Sequence, residues 1–171
     1  MPLILNGNGT ISTSVNTGTT FSTEGYPLTP NRPACMICCQ GPDTNWVVGG
    51  IINYGGFAGN PSTKLFDTTN SFNMTNSRYT APVSGIYFLS CTANGNATSG
   101  VPRGYVRING AYVGAGQIHL RGNSGLNNGD LDQRTIACTL RLNAGDYVDI
   151  YVNEGRFDTF GANYFTMFLI G

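Results

Sequence analysis

One histidine, five cysteines and nine carboxylates are the residues of this chain with the chemistry for catalysis or metal binding. A nucleophilic triad needs a hydroxyl or thiol, an imidazole and an orienting carboxylate converging on one point. The sole histidine, His119, lies in Gln117-Ile118-His119-Leu120, whose residues supply neither partner, so it reads as structural. Glycan hydrolysis uses two opposed carboxylates. The glutamates are Glu24, in a Ser/Thr-rich opening, and Glu154, in a Gly-flanked turn, while Asp146 belongs to a turn of its own. Cys35, Cys38 and Cys39 are spaced closely enough to suggest a metal. Their segment is apolar and strand-like, however, and residues three apart on a strand point to opposite faces. Buried apolar thiols are the better reading. A phosphate-cradling glycine loop would have to open onto a helix, and no segment has a helical pattern. The expectation is a protein that is not an enzyme, with no catalytic residue, no cofactor and no metal site.

The elements available to position any such group are strands. Of 171 residues 24 are Gly, Asn, Thr and Ser are abundant, and the helix formers Ala, Leu, Glu and Lys are scarce. Nine basic residues balance nine acidic ones, and Lys64 is the only lysine. Nucleic acid and anionic membrane surfaces need clustered Lys and Arg, so neither is an expected partner. Hydrophobic residues at 40% are too many for a disordered chain, and no apolar run approaches the roughly 20 residues of a membrane span. The opening MPLILNGNG has no basic residue before a short apolar stretch, unlike a secretory signal. The odd cysteine count, with Cys38 and Cys39 adjacent, is not a disulfide framework. Both features predict a chain that folds where it is made, in which the sequons at Asn8, Asn73 and Asn96 carry no sugar.

Residues 1–32 differ from the rest. Their Ser/Thr-rich stretch offers only isolated apolar residues, Ile11, Val15 and Phe21, too few to form a core. Pro27, Pro30 and Pro33 then read as a stiff, extended connector. From 33 to 171, apolar runs alternate with Gly and Asn turns. Two segments have one wet face. Around Asn109-Gly110, a type I′ hairpin signal, Val106 and Ile108 face one way and Tyr105 and Arg107 the other. Along 134–142, Ile136, Cys138, Leu140 and Leu142 oppose Thr135, Ala137, Thr139 and Arg141. Three other segments, Ile86–Leu89, Tyr147–Val152 and Tyr164–Ile170, are apolar on both faces and must be covered on both. A two-sheet sandwich covers only the inner face of each sheet, so a second copy of the chain is the simplest remaining cover.

Three motifs carry a resemblance. Tyr79-Thr80-Ala81-Pro82-Val83-Ser84-Gly85-Ile86-Tyr87 resembles the signature of the complement-1q-like globular domain, a relative of tumour necrosis factor. Leu142-Asn143-Ala144-Gly145-Asp146-Tyr147-Val148 is similar to the family's Gly-Asp-x-Val segment, and Phe165-Thr166-Met167-Phe168-Leu169-Ile170 to its final strand. The order is the family's own, over about residues 33–171. Where its members usually carry Phe, this chain has Leu89, which keeps the position apolar. The resemblance implies an all-β, ten-stranded jelly-roll sandwich that trimerises through its inner sheet and has no shared catalytic site. Ile86, Phe88, Tyr147, Tyr151, Tyr164 and Phe168 are the expected trimer interface, with Tyr147 and Tyr151 near the threefold axis. Some members hold calcium near that axis. The acidic candidates here, Asn127-Asn128-Gly129-Asp130-Leu131-Asp132, fit no calcium-loop pattern and read as a solvated turn.

The opening Leu3-Ile4-Leu5-Asn6-Gly7-Asn8-Gly9-Thr10-Ile11-Ser12 resembles those of virion structural proteins of tailed bacteriophages. Together these readings predict a non-enzymatic homotrimer on the virion surface, decorating or cementing the capsid. Residues 1–32 form its anchoring arm, with Leu3, Ile4, Leu5 and Ile11 contacting other virion proteins. The alternative is a tail or fibre-tip module that recognises a host-surface glycan or protein. Tyr105, Arg107 and Tyr112, on the wet face of one hairpin, are its candidate ligand face.

Overall fold

The computed structural model describes residues 20–21, 27–28, 32–38, 45–46, 49–52, 54, 56–57, 60–96, 103–116, 119–121, 131–158 and 163–170. The chain divides into two compact units, Met1–Arg32 and Pro33–Gly171. In the first, Thr20–Phe21 pairs antiparallel with Pro27–Leu28, so Pro27 keeps the extended backbone expected of it but within a short ladder. Leu3, Ile4, Leu5 and Ile11 lie outside the described residues.

The second unit is built of strands. Gly56–Phe57 and Asn60–Pro61 pair with each other apart from the two main sheets. The strands of those sheets are, in chain order, β1 (Ala34–Cys38), β2 (Asn45–Trp46), β3 (Thr63–Asp67), β4 (Phe72–Asn73), β5 (Arg78–Thr80), β6 (Gly85–Asn96) and β7 (Arg103–Ile108). Then follow β8 (Ala111–Tyr112), β9 (His119–Arg121), β10 (Leu131–Leu142), β11 (Tyr147–Glu154), β12 (Arg156–Asp158) and β13 (Tyr164–Leu169). One sheet runs β2-β12-β6-β13-β1-β3, with β10 on the other side of β6; the second runs β8-β7-β11-β5-β4, with β9 also on β7. β8 pairs Arg107–Ile108 and β9 pairs Arg103–Tyr105, so the two act as one interrupted strand along β7. β12 joins only the far end of β6, at Asn94–Asn96, and β2 joins β12. Among the described residues each layer is therefore five strands wide, as in the expected ten-stranded jelly roll, with β2 and β12 as additions.

The core lies between the sheets. Cys35, Ile37, Tyr87, Leu89, Cys91, Leu140, Leu142, Phe165 and Met167 face inward from the first sheet. Tyr79, Val106, Val148, Ile150 and Val152 meet them from the second. Phe165 packs against Tyr54 and Phe72, ring centroids 5.5 and 5.1 Å apart. Burying each large side chain contributes about 1.5–3 kcal/mol. The wet face of β10 is as its alternation requires, with Thr135, Ala137, Thr139 and Arg141 exposed. Cys35 is buried and Cys38 half-buried, on opposite faces of β1.

Two turns and a crossover fix the register. Asn109 (φ 51°) and Gly110 (φ 81°) form the type I′ turn between β7 and β8. Between β10 and β11, Asp146 folds back so that its Oδ2 accepts from the Asn143 amide at 2.7 Å. Asn109 ties the two turns together: its Nδ2 donates to Asp146 Oδ1 (2.7 Å) and its Oδ1 accepts from the Tyr147 amide (3.0 Å). The Tyr79–Tyr87 motif is the crossover between layers. Its tyrosines are fully buried edge to face, 5.9 Å apart, and Tyr87 Oη donates to the Val83 carbonyl at 2.7 Å. Leu89 is fully buried in the place of the family's Phe.

The only lysine is occupied by structure. Lys64 Nζ reaches Asp67 Oδ2 (3.0 Å), Asn70 Oδ1 (3.3 Å) and the Phe72 carbonyl (3.2 Å). The Asp67 carboxylate also accepts from the Ser71 and Phe72 amides, both at 2.9 Å. This knot closes the β3–β4 turn.

Candidate functional site

The outer faces of the two sheets differ in chemistry. On the first sheet, register places Ala34, Phe168, Phe88 and Thr139 in one row across β1, β13, β6 and β10. Phe88 and Phe168 touch, ring centroids 5.1 Å apart. Phe168 is 40% exposed and Ile86 39%, and Ile170 and Phe66 are also open. A bulge adds to this face: Met36 pairs Phe66 and Ile37 pairs Lys64, so Leu65 has no partner residue on β1. Both Leu65 and Phe66 are consequently exposed. Half-buried Met36 and Tyr164 lie on the same side of the sheet.

The outer face of the second sheet is polar and aromatic. At its centre the carboxylate of Asp149 is fully buried. Arg107 holds it with two bonds, Nε to Oδ1 at 2.8 Å and Nη2 to Oδ2 at 3.1 Å. From the opposite neighbour, β5, Arg78 Nε donates to Oδ2 at 3.1 Å. Each guanidinium also covers a tyrosine: Arg107 lies 4.0 Å from the centroid of Tyr151, and Arg78 lies 4.3 Å from that of Tyr147. Tyr112 continues the array, 5.1 Å from Tyr105 and 6.4 Å from Tyr151. Alternation explains the placement. Residues 148, 150 and 152 of β11 enter the core, so 147, 149 and 151 emerge together and meet the outward residues of β5 and β7.

Beside Arg78 the sheet is interrupted. The segment 49–52 runs along β11 where β5 has ended, with Ile52 N donating to the Ile150 carbonyl at 2.8 Å and Ile51 bridged to Tyr151. The gap between this segment and β5 is a cleft of 310 Å³ lined by Ile51, Thr75, Asn76, Ser77 and Arg78.

The expected residues divide between these faces. Ile86, Phe88, Tyr164 and Phe168 share the first sheet's outer face. Tyr147 and Tyr151 do not: β11 belongs to the second sheet, so both tyrosines lie on the far side of the sandwich from Phe88 and Phe168. Sequence alone shows that β11 has two apolar faces but not which sheet it joins. Tyr105, Arg107 and Tyr112 are brought together as expected, with Arg107 paired to Tyr112 across the hairpin. The sequence reading missed Arg78 and Asp149, which come from distant segments. The one available signal was an aspartate between two tyrosines on an outward strand face. The backbone of His119 pairs with that of Tyr105; residues 127–130 and Cys39 lie outside the described residues.

With both faces in view, the fold defines the class: an antiparallel jelly-roll sandwich of the complement-1q and tumour-necrosis-factor type. The chain is similar to the globular domain of zebrafish complement 1qA protein, with 16% identity and a TM-score of 0.60 over 82% of this chain and 98% of that one. It is also similar to the tumour necrosis factor Eiger of S. frugiperda, with 10% identity and a TM-score of 0.61 over 82% and 94% of the respective chains. No protein-family model and no curated protein sequence matches the chain. At these identities the likeness is one of fold.

Proposed function

We propose that the chain is a non-enzymatic homotrimer that decorates or cements the capsid of a tailed bacteriophage, held to the particle by its N-terminal arm. The observation that carries the trimer is the apolar outer face of the first sheet, where Ile86, Phe88, Phe168 and Ile170 are open to solvent in the single chain. Contiguous apolar surface of this kind marks an association site, and in the family resembled the corresponding sheet is the one that trimerises. The virion assignment rests on the likeness of Leu3–Ser12 to phage structural proteins and on the arm's composition. Leu3, Ile4, Leu5 and Ile11 are too few for a core but enough to add a strand to a neighbour's sheet edge or fill a groove. Three arms per trimer act together, so weak contacts add up to firm attachment.

Removing residues 1–32 tests the reading. The expected product is a folded trimer that no longer associates with particles. A truncated chain that still decorates particles at full occupancy would show that the jelly roll makes the contact and the arm does not.

A second reading is favoured by the Tyr105–Tyr112 pair, which lies open on the opposite face with Tyr112 44% exposed. On that reading the trimer sits at a tail or fibre tip and binds a host-surface glycan or protein.

A further inference from the structure

Charge is unevenly settled on the outer face of the second sheet. Two arginines flank one carboxylate, and Arg107 takes the larger share of it by binding through two nitrogens. Arg78 uses only its Nε. Among the described residues its two terminal nitrogens have no hydrogen-bond acceptor, although Asp149 and the Tyr147 ring hold the guanidinium flat. The array therefore carries one unneutralised positive charge, on a preorganised fork, at the edge of a cleft. The rest of the lining adds Thr75, Asn76 and Ser77, with the apolar Ile51 opposite.

A flat guanidinium with free terminal nitrogens matches a carboxylate, which it binds through two parallel hydrogen bonds. A single excess charge suits a ligand with isolated carboxylates rather than a polyanion, which needs clustered cations. Three strand spacings of about 4.8 Å separate β5 from β8, so the exposed Tyr112 stands roughly 14 Å from Arg78 on the same face. That is the span of a short oligosaccharide, with an aromatic shelf at one end and an anion clamp at the other. The face also lies across the sandwich from Phe88 and Phe168, so trimerisation through the first sheet leaves it open.

We propose that this cleft binds the carboxylate of an acidic sugar through Arg78, with the following sugars lying over Tyr105 and Tyr112. The proposal rests on the recognition reading above and moves its anchor from Arg107, which Asp149 occupies, to Arg78.

The full chain is titrated with sialyllactose and digalacturonate as acidic probes, lactose as the neutral counterpart and hexaglutamate as an acidic peptide, followed by saturation-transfer NMR. At least one acidic sugar is expected to bind about tenfold or more tightly than lactose, and added salt weakens it. Thr75→Tyr fills the cleft from an exposed position and leaves the ion pairs intact. It should cost about tenfold in affinity with melting unchanged; Arg78→Gln should lose as much affinity, together with the small loss of stability that its single bond to Asp149 implies. Binding of neither acidic sugar, equal binding of lactose, full affinity in Thr75→Tyr, or hexaglutamate binding as tightly as the sugars would each overturn the proposal. Light scattering on the same samples keeps the trimer separate: a monomer that binds sialyllactose refutes only the trimer, and a trimer that binds no acidic sugar refutes only the cleft.

Discussion

Asp149 is a buried charge whose compensation is shared unequally, and this sets an order among single substitutions. Arg107 is 14% exposed and doubly bonded to it, whereas Arg78 is 32% exposed and singly bonded. Removing Arg107 leaves a buried carboxylate with one partner, which costs about 3 kcal/mol. Removing Arg78 leaves the two-bonded pair in place and costs about 1 kcal/mol. Urea unfolding of Arg107→Ala and Arg78→Ala measures the difference, and equal losses would mean that the pair is not asymmetric. Burial also governs the thiols. Cys91 is pushed up to about 12 from 9.0 by desolvation, with the Tyr54 hydroxyl partly opposing. Between those values the unfolded thiol has lost a proton that the folded one keeps. Stability therefore falls as pH rises through about 9 to 12, by about 1.4 kcal/mol per unit for one such thiol. Cys35 is displaced in the same direction by burial. Cys91→Ala should flatten the alkaline slope of the melting temperature without abolishing it.

At the scale of elements, the β7–β8 and β10–β11 turns depend on Asp146. Hydrogen bonds from the Asn143 amide and from the Asn109 side chain hold its carboxyl below its ordinary value of 3.8. A depressed carboxyl contributes stability above its unfolded pKa and loses it as pH falls through the folded one. The contribution should therefore start to decline as pH falls below about 3.8, and Asp146→Asn should remove that part of the acid-side decline in melting temperature. The strand periodicities carried much of the fold. In β10 the alternation of Ile136, Leu140 and Leu142 with Thr135, Thr139 and Arg141 is the observed burial pattern, because one face meets the core and the other meets solvent. The Leu65 bulge was not legible: an extra residue in a strand changes no local pattern until its partner is known.

For the whole molecule, the test falls on the outer face of the first sheet, the proposed trimer interface. Phe88→Glu with Phe168→Glu places two charges where the proposed copies meet. The expected result is a monomer by light scattering whose far-ultraviolet dichroism is that of the parent, since Phe168 is exposed and neither residue contributes to the core. A parent chain that is itself a stable monomer at micromolar concentration, or a double variant that remains trimeric, would remove this face from the interface.

The resemblance of three ordered motifs implied the ten-stranded sandwich; by itself the sequence determined the all-β class, the type I′ turn at Asn109-Gly110 and the grouping of Tyr105, Arg107 and Tyr112. These are properties of local spacing, since period-two alternation and turn chemistry act over a few residues. Only the tertiary structure decided that Tyr147 and Tyr151 stand opposite Phe88 and Phe168, that Arg78 joins Arg107 on Asp149, and that a cleft opens beside β5. Each depends on which strand lies next to β11. That pairing brings together residues some seventy positions apart, such as Arg78 and Asp149, and no local pattern encodes it.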